Sequence, residues 1–254
     1  MKKNEYQNLI DKRKTCTLCQ NNNFKNQSKT DYDFDEIGNW TTWSNNLDAD
    51  IMIVGQDYSD TFTFERDKGV IEVKELNDTS LANEYTTVTN YYLRELTKLI
   101  GYDIGIPTKK SNAKVFLTNS VLCLKHGELD QKARVMSKSI PISVYKKCGT
   151  EFLKPTIEIV QPRVIITLGA TATKAVINAY SDYIDNNKKL LASSFSTIFK
   201  KETIKIKNSN SVVFPVYHTG ILGQNNRKKN DSSEISGFEL MKQDWLKIKQ
   251  LIKT

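Results

Sequence analysis

The sequence lacks the features that mark membrane and secreted proteins. It contains no apolar run that approaches the roughly 18 residues needed to span a bilayer. The first residues, MKKNEYQNLIDKRK, are basic and lack the apolar stretch of a secretory signal. Internal repeats and long linkers are lacking as well. We therefore expect a cytoplasmic protein without a membrane partner, folded as one domain over residues 1–254.

Cysteine is scarce, with four residues in the whole chain. Disulfides are disfavoured in a reducing cytoplasm, and Cys16 and Cys19 form a Cys-x-x-Cys pair, so the four thiols indicate a metal centre. The fold would have to bring Cys123 and Cys148 to that pair. The spacing alone is compatible with tetrahedral zinc and with an iron–sulfur cluster, and four unconnected thiols are the simplest alternative.

Acidic residues are fewer than basic ones, 29 against 37, which gives a formal net charge of +8. A surplus of positive charge favours a polyanionic partner, because each phosphate that is neutralised releases counterions. The abundance of Asn and Lys is also typical of genomic bias. Charge alone therefore leaves nucleic-acid binding as one of two interpretations.

Four apolar runs predict buried strands, at residues 50–55, 114–119, 163–169 and 211–218. Each is rich in Val, Ile or Phe without clean alternation, which is typical of strands covered on both faces. Helical patterns lie between them, and a further helix is expected after Asp231. Strands that alternate with helices predict a three-layer α/β/α sandwich with a central four-stranded, mainly parallel sheet.

Each predicted strand ends in glycine or in polar residues. The first continues into GQDY at residues 55–58, the second ends at Asn119, the third at Gly169 and the fourth at Tyr217 and His218. Ligands of parallel α/β folds bind beyond the carboxyl ends of the strands. We therefore expect one binding site where these four ends meet.

The four strand-end stretches carry a resemblance to a known family. In order, IVGQDYSD, FLTNSVLC, QPRVIITLG and VFPVYHTG resemble the successive motifs of the uracil-DNA glycosylase superfamily. The cysteine arrangement, with a close pair near the start, a third directly after the Thr-Asn motif and a fourth on the next helix, is similar to its iron–sulfur branch, family 4. The first motif departs from family 4 proper, which usually has Gly-Glu-Ala-Pro-Gly where this chain has GQDYS.

The resemblance implies a monofunctional glycosylase of base excision repair. Such an enzyme flips uracil out of single- or double-stranded DNA and hydrolyses the N-glycosidic bond, which leaves an abasic site. The departures at the first and last motifs motivate an alternative, a catalytically weak or inactive uracil-DNA-binding protein of the same fold that acts in mobile-element maintenance or defence. In either case we expect a monomer.

The resemblance also implies roles for the strand-end residues. Asp57 takes the position of the carboxylate that orients water, and His218, one of two histidines in the chain, takes that of the group that stabilises the departing uracil anion. Asn119 is placed to read the Watson–Crick edge of uracil. Gln56 is placed to offer its backbone to the base or to a phosphate.

The remaining implied roles concern stacking, DNA contact and metal binding. Tyr85 falls where the family stacks an aromatic ring on the extruded base, and Tyr58 is a candidate for the ring that excludes thymine. After His218, either Ile221 or Leu222 is expected to wedge into the base stack, and Arg227 and Lys228 to hold backbone phosphates. The implied cofactor is a 4Fe-4S cluster, with zinc as the alternative, and its implied ligands are Cys16, Cys19, Cys123 and Cys148.

Overall fold

A computed structural model of the protein describes residues 1–22, 24–29, 46–57, 88–105, 113–125, 129–130, 135–136 and 140–253. Its strands are β1 (Phe24–Lys25), β2 (Ile51–Gly55), β3 (Val115–Asn119), β4 (Leu124–Lys125), β5 (Leu129–Asp130), β6 (Val135–Met136), β7 (Val164–Leu168), β8 (Ile204–Lys205) and β9 (Val212–Val216). Its α-helices are α1 (Lys2–Thr15), α2 (Val88–Leu99), α3 (Ile142–Cys148), α4 (Lys154–Val160), α5 (Gly169–Ala179), α6 (Asn187–Ala192), α7 (Phe195–Phe199), α8 (Ile221–Lys229) and α9 (Gly237–Lys253). Within these ranges, no helix combines the length and the apolar character that a membrane crossing requires.

The central sheet has five strands in the order β3-β2-β7-β9-β8. The first four run parallel, and β8 pairs antiparallel with β9, with Ile204 opposite Val213. The prediction of a mainly parallel sheet is confirmed, whereas the predicted count of four strands is one too low. The edge strand β8 consists of two residues, Ile204 and Lys205, so it has no apolar run that could reveal it in the sequence.

Alternate residues of β2 enter two separate hydrophobic cores, one on each face of the sheet. Met52 and Val54 belong to the first core, and Ile51 and Ile53 belong to the second. The first core also contains residues of α1, α3, α4 and α5, and the second contains residues of α2 and α9. Because successive side chains of a strand point to opposite faces, this division confirms the three-layer α/β/α sandwich.

The helical segment between residues 142 and 160 changes its geometry before Pro155. The α-helix ends at Cys148, a π-helical turn covers Gly149–Leu153, and α-helix resumes at Lys154. Proline has no N–H to donate and its ring crowds the carbonyl one turn earlier, so the wider π turn accommodates it without breaking the helical path. The same turn leaves Cys148 at the end of α3.

The order of the strands reverses at β2, which predicts a crevice there. Strand β3, the next strand of this sheet along the chain, lies on one side of β2, and β7 lies on the other side. Such a switch point separates the loops that leave the carboxyl ends of the strands, and ligands bind there. Gly55 ends β2 and Gly169 follows β7, so two of the four strand ends singled out in the sequence flank this crevice.

Candidate active site

The loop after β2 is held by the segment after β3. Gly55 lies opposite Asn119 in the parallel ladder, and the Ser120 N–H donates to the Gly55 carbonyl at 2.9 Å. The Val121 N–H and the Ser120 hydroxyl both donate to the Gln56 carbonyl, at 3.1 and 2.8 Å. The hydrogen bonding therefore continues beyond the strand ends and fixes the start of the first motif.

Gly55 is required because the Asn119 side chain occupies the space beside it. A Cβ added at Gly55 would lie 2.2 Å from Asn119 Oδ1, which is far inside van der Waals contact. Asn119 is itself buried, although its side chain is polar. The glycine thus lets an amide pack directly over the end of the neighbouring strand.

Asp57 is a buried carboxylate that takes part in an ion pair. Gln56 Nε2 donates to Asp57 Oδ2 at 2.8 Å, and Lys125 Nζ lies 2.9 Å from the same oxygen. The side chains of Lys125 and Asp57 are 9% and 8% exposed. Lys125 could not be predicted from the sequence, because its contact with Asp57 joins β4 to the loop after β2 and no local pattern connects these segments.

His218 is neutral at neutral pH and has a defined tautomer. The Gly220 N–H donates to His218 Nδ1 at 3.1 Å, so the ring proton belongs on Nε2. Desolvation of the ring lowers the pKa of His218, although the residue is exposed to solvent, and the negative charge of Asp57 acts in the opposite direction. The site therefore contains a neutral imidazole that can donate a hydrogen bond through Nε2.

The loop that carries His218 is clamped by close backbone contacts. A Cβ at Gly223 would lie 1.8 Å from the His218 carbonyl oxygen, so α8 packs against this loop without any side chain between them. The Thr219 hydroxyl donates to the Thr89 carbonyl at 3.1 Å, which ties the loop to α2. A Cβ at Gly169 would lie 3.7 Å from His218 Cβ, so the end of β7 supports the loop as well.

Several predicted site residues thus come together at one edge of the sheet. Asn119 lies beside Gly55, Gln56 and Asp57 follow directly, and the charge of Asp57 is close enough to affect His218. Their catalytic and base-binding roles stay predictions. The other two predicted base-binding residues, Tyr58 and Tyr85, lie outside the residues that the structure describes.

The helix that follows His218 begins with two exposed apolar side chains. Ile221 and Leu222 occupy the first turn of α8 and are 58% and 70% exposed. Exposure of two large apolar residues in succession is compatible with insertion between stacked bases. Their role as a wedge stays a prediction.

The two basic residues predicted to hold DNA phosphates are engaged inside the protein. Arg227 is buried, with Nε 2.7 Å from Asp244 Oδ2, Nη2 3.2 Å from Asp244 Oδ1 and Nη1 3.3 Å from Asp231 Oδ2. Lys228 Nζ donates to the Ser233 carbonyl. These contacts give Arg227 a structural task in joining α8 to α9, and phosphate binding by either residue stays a prediction.

All four cysteines line one cavity, and none forms a disulfide. Cys16 and Cys19 follow α1, Cys123 lies between β3 and β4, and Cys148 ends α3. The other residues that line the cavity are Arg13, Leu18, Leu122 and Phe152.

The thiols of this cavity affect one another electrostatically. Burial, with smaller contributions from Cys19 and Cys16, raises the pKa of Cys123 to about 12. Burial also raises the pKa of Cys148, and Cys123 adds to that effect. Among the described residues, no three His, Cys, Asp or Glu side chains form a group arranged to hold a metal ion. The cavity therefore gathers the four thiols without closing them around one point.

Comparison with known proteins places the chain in a family. The model of the uracil DNA glycosylase superfamily matches residues 43–241. The chain is also similar to the type-4 uracil-DNA glycosylase of Sulfurisphaera tokodaii, with 24% identity over 161 residues, which are 63% of this chain. The chain spans 59% of the length of that relative. Because the superfamily model matches well over half of its residues, the chain belongs to the uracil-DNA glycosylase superfamily.

Proposed function

We propose that the protein is a monofunctional uracil-DNA glycosylase of base excision repair, which acts as a monomer on single- or double-stranded DNA. The observation that carries this proposal is the oriented His218 imidazole, whose Nδ1 accepts from the Gly220 N–H, at the edge of the sheet where Asn119 packs against Gly55. Membership of the superfamily and the similarity to a type-4 uracil-DNA glycosylase support it. In the proposed reaction, uracil is flipped into the crevice at the carboxyl ends of β2, β3, β7 and β9.

His218 is proposed to stabilise the leaving base. Cleavage of the N-glycosidic bond places negative charge on the departing uracil, and an oriented N–H donor lowers the energy of that charge. The Gly220 N–H occupies Nδ1, so Nε2–H is the donor that remains for the uracil O2. A neutral imidazole suits this task because it donates the hydrogen bond without losing its proton.

Asp57 is proposed to orient the water that attacks the sugar. Positive charge develops on the sugar as the base departs, and a buried carboxylate both stabilises that charge and accepts a hydrogen bond from water. Asn119 is proposed to separate uracil from cytosine, because its side-chain amide can donate to O4 and accept from N3. Its packing over Gly55 supports this role, since the amide is held in place before the base arrives.

The four-cysteine cavity is proposed to hold a 4Fe-4S cluster. A single zinc ion would need four sulfurs about 2.3 Å from one point, whereas in a cluster each thiolate binds a different iron. The four thiols share one cavity, and their arrangement in the sequence, which is similar to that of the iron–sulfur branch, supports the cluster. When bound, the cluster would tie the N-terminal segment to the loop after β3 through Cys16, Cys19, Cys123 and Cys148.

An oligonucleotide assay tests the proposed activity. The purified protein is incubated with single- and double-stranded substrates that contain uracil, hypoxanthine or xanthine, and abasic sites are quantified. We expect release of uracil from at least one form of DNA, and a loss of about 100- to 1,000-fold in kcat for His218→Gln, as for removal of one oxyanion donor. Tight binding of uracil-containing DNA without release of any base would favour the alternative, a binding protein of the same fold.

A further inference from the structure

Lys125 is a buried lysine in direct contact with the proposed catalytic carboxylate. It ends the two-residue strand β4, which pairs antiparallel with β1, and this pairing places its side chain toward the loop after β2. Lysine is almost never buried without a partner. Its partner is Asp57, which lies 2.9 Å from Nζ.

The geometry of the pair restrains the carboxylate at one of its oxygens. Lys125 Nζ and Gln56 Nε2 both lie within 3 Å of Asp57 Oδ2, so this oxygen contacts two donors. Two donors that converge on one oxygen fix the rotation of the carboxylate. Burial of such a pair is a poor source of stability, because desolvation of the two charges offsets most of their attraction. A role in orienting a reacting group accounts for the burial better than stability does.

We propose that Lys125 is a positioning residue for hydrolysis, which holds the Asp57 carboxylate in the orientation that activates water. This inference rests on the proposed glycosylase function. Lys125 touches neither water nor base in this role, and it acts only through Asp57. Its effect therefore belongs to the chemical step and should be lost when the carboxylate is absent.

A double-mutant cycle tests this inference with Lys125→Met, Asp57→Asn and the variant that carries both changes. We expect Lys125→Met to lower kcat about 100-fold, as expected when a catalytic group is misplaced by about 1 Å, with KM changed less than about threefold. In the Asp57→Asn background, Lys125→Met should change kcat by less than about twofold, because the group it positions is gone. Lys125→Arg, which keeps a cation, should recover about tenfold of the lost activity.

The matched control is Lys25→Met. Lys25 lies on β1, the strand paired with β4, but its side chain is exposed, and we expect wild-type kcat and KM. Thermal melting of every variant shows whether it folds. If Lys125→Met is unfolded, Lys125→Arg carries the test, because it keeps a cation beside Asp57: we expect a kcat about tenfold below that of the wild type, and an unchanged kcat overturns the inference.

The outcomes separate this inference from the proposed function. A wild-type protein that releases no uracil contradicts the function. An active wild type overturns the inference if Lys125→Met retains its kcat, if only KM rises, or if the two losses multiply in the doubly changed protein. A rise in KM alone would mean that Lys125 binds DNA instead of positioning Asp57.

Discussion

The site at the strand ends and the four-cysteine cavity adjoin the same short segment, residues 119–125, but they are held in different ways. Residues of the strand-end site follow strands of the central parallel ladder, which are buried on both faces. The cysteines come from a helix end, two loops and a second helix end. Around the cavity, the described contacts include the two-residue pairing of β1 with β4 and single hydrogen bonds such as Gln27 Nε2 to the Leu122 carbonyl at 2.7 Å.

This difference bears on which of the two regions the proposed metal would stabilise. The sheet orders the strand-end site through hydrophobic packing and ladder hydrogen bonds, which require no cofactor. The elements around the cavity are joined largely by side-chain hydrogen bonds, such as those from Asn26 to the Arg13 and Cys16 carbonyls. The cavity also contains thiols whose raised pKa keeps them protonated without a metal. Metal binding would release those protons and supply the free energy that draws the elements together.

Removal of one cysteine should disrupt the four-cysteine cavity. It is expected to have the largest effect of these variants, on both cofactor content and thermal stability. We expect Cys148→Ser to lose the visible absorbance of the cluster and to lower Tm by about 10 °C, because metal-binding free energy contributes to folding. Thr17→Ala, an exposed change between Cys16 and Cys19, should leave both properties intact. Absorbance spectra, iron analysis and thermal melting measure these effects. A colourless wild type with stoichiometric zinc would contradict the cluster.

A methyl group at Gly223 should break the strand-end site while leaving the cavity intact. The added Cβ would lie 1.8 Å from the His218 carbonyl oxygen, so the His218 loop and α8 must move apart. We expect Gly223→Ala to lower kcat about 100-fold through misplacement of the imidazole, with an unchanged visible spectrum. Steady-state kinetics and absorbance measure the two regions separately.

The control for this prediction is Asn225→Ala, an exposed change on the same helix, which should retain wild-type kcat. Equal losses of absorbance and of kcat in Gly223→Ala would show that the change disrupts the cysteine cavity as well as the strand-end site. That result would contradict the comparison on which this prediction rests.

The titration of His218 should change the free energy of unfolding with pH, and this is the smallest of the expected effects. It tests the description of the strand-end site. Desolvation of the ring lowers the folded-state pKa of His218, whereas the unfolded imidazole titrates near about 6.5. Between these two values the unfolded chain binds more protons, so the free energy of unfolding falls as the pH decreases below about 6.5. The residue is exposed to solvent, so screening keeps this contribution small.

Urea denaturation at a series of pH values measures this dependence. In His218→Gln the contribution should disappear, while the dependence that arises from other groups remains. Stability of the wild type that increases as the pH falls through this range, relative to His218→Gln, would mean that the folded state favours the imidazolium.

The sequence predicts the sheet well because its strands are long enough to carry a signal. Four apolar runs of five or more residues correspond to β2, β3, β7 and β9, whereas the two-residue strand β8 carries no such signal. The last helix begins at Gly237, not near Asp231, and the Ser236 hydroxyl accepts from the Glu239 N–H at 3.2 Å. Several polar residues in this region can cap a helix, and only packing selects among them.

The candidate site divides in the same way between local and distant contacts. Asn119 and His218 follow buried strands, so their positions could be predicted from strand ends alone. Lys125 is far from Asp57 along the chain, and Arg227 is far from Asp244. The contacts within these two pairs therefore follow no periodic pattern. A run of basic residues such as 227–229 predicts an exposed charged face, and the sequence could not show that one member turns inward to a carboxylate.

Residues 119–125 give the molecule an unusual vulnerability. Within this stretch the chain supplies the amide proposed to read the base, a thiol of the cysteine cavity and the ammonium group beside Asp57. A substitution at Cys123 would therefore disturb Asp57 through Lys125, two residues further along, while the sheet behind it stayed folded. The proposed activity would then be lost before the fold was lost, because one short segment serves both sites.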